Sequence, residues 1–431
     1  MSDSIMQPRK MDAKRQFYIS AFWLAMNLIW GALLVIIIPS QMKEMSPERP
    51  AETTGILLGL GAIPAFVIPL LVGPFSDRCM SKLGRRRPYM IVGTVINLVG
   101  LAMVWMAGHS LLLWLYFVGY LITQIGNNIA GGAYNGIIPD IVPKEQRGSA
   151  SGWMAAMSQA GTIVGVLTAG ILMNAGQTGL SFLVIGVSLA GFLLVTVFGT
   201  RETARKEPPE KLDIKRLVKS LWIDPRRYPN FAWVWITRFL VVMGLWSVQE
   251  YMQFYLTDMV HVPEARKELY TGYVLLVVLI CATITGMLGG IISDKVGRKP
   301  VVYVANTVIA LACFAFIFSP SLTYTFVIAS VFGLGYGAYY SVDWALGCDV
   351  LPSKDEAGKD MAVWHIAFVL PQSIVLPITG FVLGSFGHTM QKTATRSVAH
   401  YTANGYTALF TMAAFFLLLG ALLLRNVKGV R

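Results

Sequence analysis

The chain has 431 residues, of which 55% are hydrophobic and only 13% are charged, and its formal net charge at pH 7 is +12. Its mean hydropathy is +0.59. These values exclude an ordinary soluble domain, in which about a quarter of the residues are charged.

Twelve apolar stretches are long enough to cross a membrane as helices, because about 20 residues span roughly 30 Å of hydrocarbon. The stretches are continuous, whereas the strands of a membrane barrel alternate apolar and polar residues. In chain order the predicted spans are 17–39, 53–76, 88–107, 111–138, 149–174, 180–199, 230–256, 270–292, 300–319, 322–347, 360–385 and 404–424. The sequence therefore predicts an all-α protein embedded in a lipid bilayer.

The positive charge is unevenly divided between the loops on the two sides of the predicted helices. Of the 35 basic residues, 28 fall in the loops on the side of the two termini, six fall on the other side, and Arg238 lies inside a span. This bias follows the positive-inside rule. We therefore expect both termini on the cytoplasmic face of a plasma (inner) membrane, and we do not attribute the charge to nucleic acid binding.

One basic loop has a copy in the second half of the chain. The segment 73–89, GPFSDRCMSKLGRRRPY, contains Asp77 followed by Gly84-Arg85, and Asp294 followed by Gly297-Arg298 repeats this order. A second echo matches DIVP at 140–143 with DVLP at 349–352. In each case the two copies of the motif lie about half a chain length apart, which indicates that six helices have been duplicated.

The repeat predicts two domains of equal design. We expect a six-helix bundle at 1–199, a charged cytoplasmic linker at 200–229 and a second six-helix bundle at 230–431. Two parallel repeats are the plan of transporters whose halves rock around a substrate near the membrane midplane.

The two basic loops resemble the signature of the major facilitator superfamily, in which a Gly, an Asp and a Gly-Arg cluster follow the second helix. The long form at 73–89, together with Asn127-Asn128 and the stretch PDIVPKEQRGSASG at 139–152, resembles more specifically the sucrose-proton symporters and their glycoside-transporting relatives. The resemblance covers essentially the whole chain. It implies twelve helices in two pseudo-symmetric bundles, alternating access, and proton-coupled transport of a sugar or glycoside.

The resemblance also implies a gate latch built from the repeated charges. We carry this role to Asp77, able to pair with Arg85 or to cap the N-terminus of a facing helix, and to Arg85, Asp294 and Arg298. The remaining gating candidates are Asp140, Arg147 and Asp349. We expect the latch contacts to exist only when the halves close on the cytoplasmic side. The alternative is that these charges merely anchor the topology, which would not explain a carboxylate at the same place in both halves.

Polar and aromatic residues on helices 1, 4 and 7 are candidates for contacting a sugar, whose C–H face is apolar and whose hydroxyls need hydrogen-bond partners. On helix 4 the amides Gln124, Asn127, Asn128 and Asn135 fall on one side of a helix. The other substrate-binding candidates are Asn27 and Trp30 on helix 1, and Arg238, Trp246, Gln249 and Gln253 on helix 7. The alternatives are helix–helix hydrogen bonds for the amides and an interfacial role for the tryptophans.

Ionisable residues inside the spans need an explanation, because a charge at a helix centre costs about 2.5–3.5 kcal/mol on insertion scales. The candidates for proton coupling are Asp343, Glu250 and His365, and neutral packing is the competing interpretation for His365. Arg238 and Asp343 lie at similar depth on helices 7 and 10. We predict that they form an ion pair, with a static structural pair as the alternative to a coupling role.

The chain departs from the sucrose-proton symporters on helix 4. Those proteins have an Asp three residues before the Asn pair and an Arg seven residues after it, whereas this chain has Gln124 and Asn135 there. Neither residue titrates. Helix 2 also lacks the membrane-embedded aspartates of sodium-coupled melibiose-type relatives. Coupling has therefore moved to the second half, with Asp343 as the candidate, or is absent.

The sequence supports three functional hypotheses. The first is a proton-coupled symporter of a di- or oligosaccharide, the second is an exporter of amphipathic compounds, which the many Met, Trp and Phe would also suit, and the third is a receptor that no longer transports. An enzyme is not expected, because no nucleophile–base pair or phosphate-binding loop is apparent. No metal or cofactor is predicted, and free thiols are expected at Cys79, Cys281, Cys313 and Cys348.

Overall fold

The computed structural model describes residues 11–143, 146–200, 202, 223–319, 321–352, 357–392 and 397–429. Twelve long helices make up most of this part of the chain. They are α1 (Ala13–Met45), α2 (Pro50–Asp77), α3 (Arg87–Ser110), α4 (Leu113–Tyr134), α5 (Arg147–Asn174), α6 (Thr178–Gly199), α7 (Pro229–Gln249), α8 (Lys267–Val296), α9 (Arg298–Ile317), α10 (Leu322–Asp349), α11 (Ala357–Ser385) and α12 (Ala403–Leu423).

Several of these helices are irregular. A π-helical turn at Leu33–Ile37 interrupts α1. The chain turns at Glu250 and Tyr251 after α7 and then continues as the short helix Met252–Asp258. Prolines inside α2 and α11 are tolerated in membrane helices because neighbouring groups satisfy the backbone carbonyls that they leave unbonded.

Eleven helices of the described chain are long and apolar enough to cross a membrane. The twelfth, α4, has a suitable length, but its tyrosines and amides lower its hydropathy. Large apolar side chains on the outer faces of the helices are exposed, including Phe198 at 81%, Met287 at 72% and Phe318 at 80%. In a bilayer these faces contact lipid, which confirms the prediction of an all-α membrane protein.

Outside the membrane helices the fold contains one feature that the sequence did not indicate. The strands β1 (His388–Lys392) and β2 (Ser397–Tyr401) form an antiparallel hairpin between α11 and α12, with His388 opposite Tyr401. Short helical segments lie at Ile137–Ile141, Glu264–Arg266 and Leu424–Asn426. Most of the predicted linker 200–229 lies outside the described residues.

The helices pack mainly within two groups, α1–α6 and α7–α12, which are called the first half and the second half below. Between the halves the main contacts are α2 with α11 and α5 with α8. Within each half, small residues let backbones approach closely: a Cβ on Gly126 would overlap the backbone of Asn97, and one on Gly337 would overlap the backbone of Ala282. The polar side chains described next are held on these closely packed helices.

Candidate functional site

Arg238 on α7 and Asp343 on α10 form an ion pair inside the second half. Only 2% of the arginine side chain and 4% of the aspartate side chain are exposed. The predicted pairing of these two residues is therefore confirmed. Each charge offsets part of the other's desolvation cost, which explains how both are kept within the membrane.

Aromatic rings surround the guanidinium of this pair. The Cζ atom of Arg238 lies 3.4 Å from the ring centroid of Trp364 and 5.3 Å from that of Phe368, both on α11. His365 stacks on Phe368 with the ring centroids 6.0 Å apart, and Trp246 packs against the same ring at 5.9 Å. A guanidinium over an aromatic face gains a cation–π attraction that is larger when water is excluded. His365 thus belongs to the aromatic wall around the pair.

The amides of α4 do not act as a single stripe. Asn127 is buried against α3, where Asn97 donates from Nδ2 to its Oδ1 at 3.3 Å. Gln124 donates from Nε2 to the Tyr120 hydroxyl at 2.8 Å. Asn128 donates from Nδ2 to the backbone carbonyl of Gln124 at 2.8 Å. Asn127 therefore has the helix-packing contact of the alternative hypothesis, while Gln124 and Asn128 form a connected polar pair.

Asn135 lies outside the helix in which the sequence placed it. The helix α4 ends at Tyr134, and Asn135 occupies the following turn with an exposed side chain. The predicted span 111–138 was wrong at this end, because the chain turns at Gly136 and begins the short helix Ile137–Ile141. Asn135 therefore lies beyond the end of α4, about three helical turns from Gln124, and the two do not form one stripe.

The first helix contributes aromatic and amide side chains next to α4. Trp23 packs against Tyr134 with ring centroids 5.2 Å apart. Asn27 donates from Nδ2 to the carbonyl of Trp23 at 2.9 Å, a bond within its own helix. Trp30, one turn further along, is half-buried.

The remaining polar candidates lie around the break after α7. Gln249 lies near the Tyr336 side chain on α10. Glu250 is 1% exposed, and its Oε2 atom has no hydrogen-bond partner. Gln253 is fully buried, and neither its Oε1 nor its Nε2 has a partner. Three buried polar atoms without partners are therefore concentrated in about one helical turn.

The loop between α2 and α3 is organised around Arg86, a residue that sequence reasoning missed. Arg86 forms an ion pair with Asp77. Its Nε donates to Asp140 at 2.8 Å, and its Nη1 donates to the Ser76 hydroxyl at 2.5 Å. Arg85 instead contacts Asp140 at 2.8 Å. The predicted pairing of Asp77 with Arg85 was wrong, because the arginine next in the chain is the one that turns inward and is buried.

The second half repeats this arrangement. Arg298 contacts Asp294 at 2.5 Å, the Ser293 hydroxyl at 2.6 Å and Asp349 at 3.3 Å. The turns before the arginines use glycines with φ of +104° at Gly84 and +99° at Gly297, a backbone region that favours glycine. Arg86 and Arg298 each lie two residues before a proline, Pro88 or Pro300. Aligning the two copies of the loop on these prolines would have matched Arg298 with Arg86 and not with Arg85.

Arg147 has a different environment from the other gating candidates. It donates from Nη2 to the carbonyl of Pro139 at 2.8 Å and from Nε to the carbonyl of Val142 at 3.4 Å. It thus fastens the end of the α4–α5 connection through backbone atoms.

The opposite end of the molecule holds a second polar network, which was not predicted from the sequence. Lys43 donates to Thr257 at 2.6 Å and to Glu264 at 3.0 Å. Ser40 donates to Glu268 at 2.5 Å. All of these bonds join the first half to the second. We call this end, with the α1–α2 loop, the Glu264–Arg266 segment and the hairpin, the closed end.

The hairpin adds another connection at the closed end. The Tyr401 hydroxyl donates to Glu52 at 2.5 Å and accepts from the backbone N–H of Ala51 at 2.9 Å. Burial, reinforced by the hydrogen bond to Glu52, raises the pKa of Tyr401, so the phenol stays protonated and donates. On the same side Asp258 accepts from the Tyr406 hydroxyl at 2.6 Å and contacts His400 at 2.8 Å.

The two ends of the molecule therefore differ. At the end that carries the α2–α3 and α8–α9 loops, called the basic end, the Arg86 and Arg298 ion pairs lie within one half each. Among the described residues, the hydrogen bonds between the halves lie at the closed end, apart from a long one of 3.5 Å between Gln159 and Thr283 midway. The expectation that the Asp77 and Asp294 pairs form only when the basic end closes was wrong.

The membrane helices form two packed groups that are joined at one end and hold buried polar side chains between their ends. This arrangement defines a membrane transporter fold. The chain belongs to the Major Facilitator Superfamily, whose family model matches residues 17–357 and 267–429.

Curated relatives of the chain differ in what they transport. The multi-drug resistance efflux pump PmrA of Streptococcus pneumoniae is 25% identical over 84% of this chain and 88% of its own length. The sucrose transport protein SUC4 of Arabidopsis thaliana is 22% identical over 39% of this chain and 36% of its own length. The sucrose transport protein SUT5 of Oryza sativa is 43% identical over 10% of this chain and 8% of its own length.

Solved structures agree on the fold. A variant of the nucleoside transporter NupG matches with a TM-score of 0.74 and 14% identity, over 96% of this chain and all of that one. A bacterial homolog of the human lysosomal transporter Spinster, in an inward-facing and occupied conformation, matches with a TM-score of 0.73 and 15% identity over 98% of both chains.

Proposed function

We propose that this protein is a secondary active transporter that works by alternating access, and that it is a proton-coupled symporter of a sugar or glycoside. The observation that carries the proposal is the one-sided joining of the two halves. Bonds such as Lys43 to Thr257 and Ser40 to Glu268 hold the closed end together. If these bonds exchange with contacts at the basic end, a site between the halves opens to one side at a time.

The basic end is proposed to face the cytoplasm of a cell whose plasma (inner) membrane contains the protein. The placement of 28 of the 35 basic residues on the side of the termini supports this orientation. Residues 1–199 and 230–431 are then the two rocking bundles, with 200–229 as the cytoplasmic linker. In this orientation, the observed arrangement, in which the halves are joined at the closed end, corresponds to the inward-open state.

Proton coupling is assigned to Asp343. Its ion pair with Arg238 is buried, so protonation of the carboxylate would remove a strong constraint on the guanidinium. The freed arginine engages the substrate or allows the halves to move. A static structural pair is the alternative, and the mutation described in the Discussion separates the two.

A sugar fits the polar and aromatic surroundings. Gln124 and Asn128 supply amides from the first half, and Gln249 supplies one from the second. Trp30 on α1 and Trp246 on α7 are half-buried aromatic side chains. Amides pair with hydroxyl groups, and ring faces pack on the apolar C–H face of a pyranose.

A second candidate function is export of amphipathic organic compounds. The similarity to PmrA over 84% of this chain favours it, whereas the similarity to SUC4 extends over 39%. The aromatic wall around Arg238 would also suit a flat apolar compound.

Counterflow in proteoliposomes tests these proposals. Vesicles containing the purified protein are loaded with unlabelled sucrose, maltose, lactose or ethidium, and uptake of the same labelled compound is followed with and without an imposed pH gradient. Protein-free vesicles are the control. Sugar exchange that becomes accumulation under the gradient supports the symporter, exchange of ethidium alone supports the exporter, and no exchange of any compound contradicts both.

A further inference from the structure

We propose that Glu250 makes closure of the extracellular end conditional on the uptake of one proton from extracellular water. The inference rests on the proposed orientation and on alternating access. It goes beyond them by assigning a second protonation site, separate from Asp343, that controls when the closed end forms.

The surroundings of Glu250 require it to be neutral in the closed arrangement. The residue is 1% exposed, and its Oε2 has no hydrogen-bond partner. In the described part of the chain Glu250 takes part in no ion pair. An isolated carboxylate in such a place is strongly unfavourable, whereas the protonated acid loses far less solvation on burial. Asp343 differs because Arg238 compensates its charge.

The position of Glu250 couples its burial to closure. It lies in the break after α7, and the next residue, Tyr251, donates to the carbonyl of Leu376 on α11 at 2.6 Å and to that of Ala51 on α2 at 3.3 Å. The Tyr120 hydroxyl of α4 lies within electrostatic range of Glu250. Helices from both halves therefore meet at the break that contains Glu250, and we infer that separating them at this end admits water to the buried carboxyl.

The titratable groups around Glu250 offer no replacement for the proton. On α4 the nearest is Tyr120, and on α2 Glu52 lies beyond Tyr251 and accepts from the hairpin Tyr401. Of the buried cations at the closed end, Lys43 is engaged by Thr257 and Glu264, and Lys267 is paired with Glu264 and Glu268. Further out, His400 is paired with Asp258. A proton from solution is the neutralising charge that remains.

The consequence is a gate that responds to extracellular pH. With the extracellular end open, Glu250 is hydrated and ionised at neutral pH, and acidification favours the closed end. One proton taken up on closure changes the ratio of closed to open molecules by about tenfold per pH unit above the midpoint. Because Glu250 is not exposed in the inward-open arrangement, its proton returns to the extracellular side on reopening. Net proton transport remains the task of Asp343.

Double electron–electron resonance on the full-length protein in nanodiscs tests the inference. The four native cysteines are replaced by alanine, and spin labels are placed at Glu48→Cys and Thr389→Cys, two exposed sites on opposite halves of the closed end. A second pair at Lys82→Cys and Lys295→Cys reports the basic end. Both distances are recorded from pH 5 to pH 9.

Three variants of the labelled protein are compared. Glu250→Gln is expected to keep the short extracellular distance at every pH. Gln253→Met, which removes an amide from the same turn without removing a titratable group, is expected to retain the pH response. Asp343→Asn removes the other proposed protonation site, and a midpoint at the closed end that stays the same in this variant supports Glu250 as the source of the response.

The possible failures are distinguishable. Distances at the two ends that never change in opposite directions, with or without sucrose or ethidium, contradict alternating access and hence the proposed function. Opposite changes whose pH midpoint is the same in Glu250→Gln as in the parent overturn the role of Glu250 alone. Loss of the pH response in Gln253→Met would also overturn it, because packing at the break would then be the cause.

Discussion

Arg86 forms an ion pair with Asp77, and Arg298 forms the corresponding pair with Asp294 in the other half. Each arginine also contacts a serine, Ser76 or Ser293, and a second aspartate. The second aspartate is Asp140, just after α4, in the first half and Asp349, at the end of α10, in the second half. Both clusters are present although, within the described ranges, no hydrogen bond is observed to join the two halves at the basic end. They therefore fasten the loops of each half, so any gating role is added to a structural one.

Replacing the buried arginine should cost more than replacing its neighbour. Arg86→Gln leaves Asp77, Asp140 and Ser76 without their shared donor, and we expect a loss of about 1–3 kcal/mol in stability. Arg85→Gln, at a half-exposed side chain, should cost less than about 1 kcal/mol. Thermal unfolding in detergent, followed by fluorescence-detected size exclusion, measures the difference. Equal losses in the two variants would contradict the central position assigned to Arg86.

Asp343→Asn should abolish accumulation driven by a pH gradient while substrate exchange continues. The amide cannot carry a proton, but it still accepts a hydrogen bond from Arg238 and so keeps the fold. Uptake into proteoliposomes with and without the gradient measures both properties, and Asp224→Asn, at an exposed site in the predicted linker, is the control. Accumulation by Asp343→Asn equal to that of the control would exclude the carrier role.

The amides of α4 should separate into two groups when each is replaced by alanine. Gln124→Ala and Asn128→Ala should weaken ligand binding by about 5- to 150-fold, the equivalent of about 1–3 kcal/mol, with little change in expression. Asn127→Ala should instead lower expression and unfolding temperature, because it removes the contact with Asn97 on α3. Binding assays beside expression yields test this division, and three identical profiles would speak against it.

Lys43→Met should shift the protein toward the state in which the closed end is open. The substitution removes the bonds to Thr257 and Glu264. Because Thr257 is buried and would lose its donor, we expect a cost of about 1–3 kcal/mol to the closed arrangement. The spin-label pair at the closed end should then show a larger long-distance population at constant pH. Arg266→Gln, an exposed basic site at the same end, should not change it. An unchanged distance distribution in Lys43→Met would mean that this network does not hold the end closed.

Much of the fold could be predicted because it depends on local properties of the chain. A backbone in hydrocarbon has to satisfy its own hydrogen bonds, so long apolar stretches become helices wherever they occur. The pairing of Arg238 with Asp343 was also predictable, since two opposite charges buried at similar depth are far less costly together than apart. The hairpin at 388–401 was missed because its segment is short and polar.

Tertiary structure alone decided which polar side chains meet. The rotation of each helix about its axis turns Asn127 toward α3 while Gln124 joins Tyr120, although all three lie on one helix. The closed-end bonds of Lys43 join residues more than 200 positions apart. Apolar composition sets the depth of a helix in the membrane, but it does not set rotation or the choice of neighbours, because lipid and apolar side chains solvate a helix almost equally well.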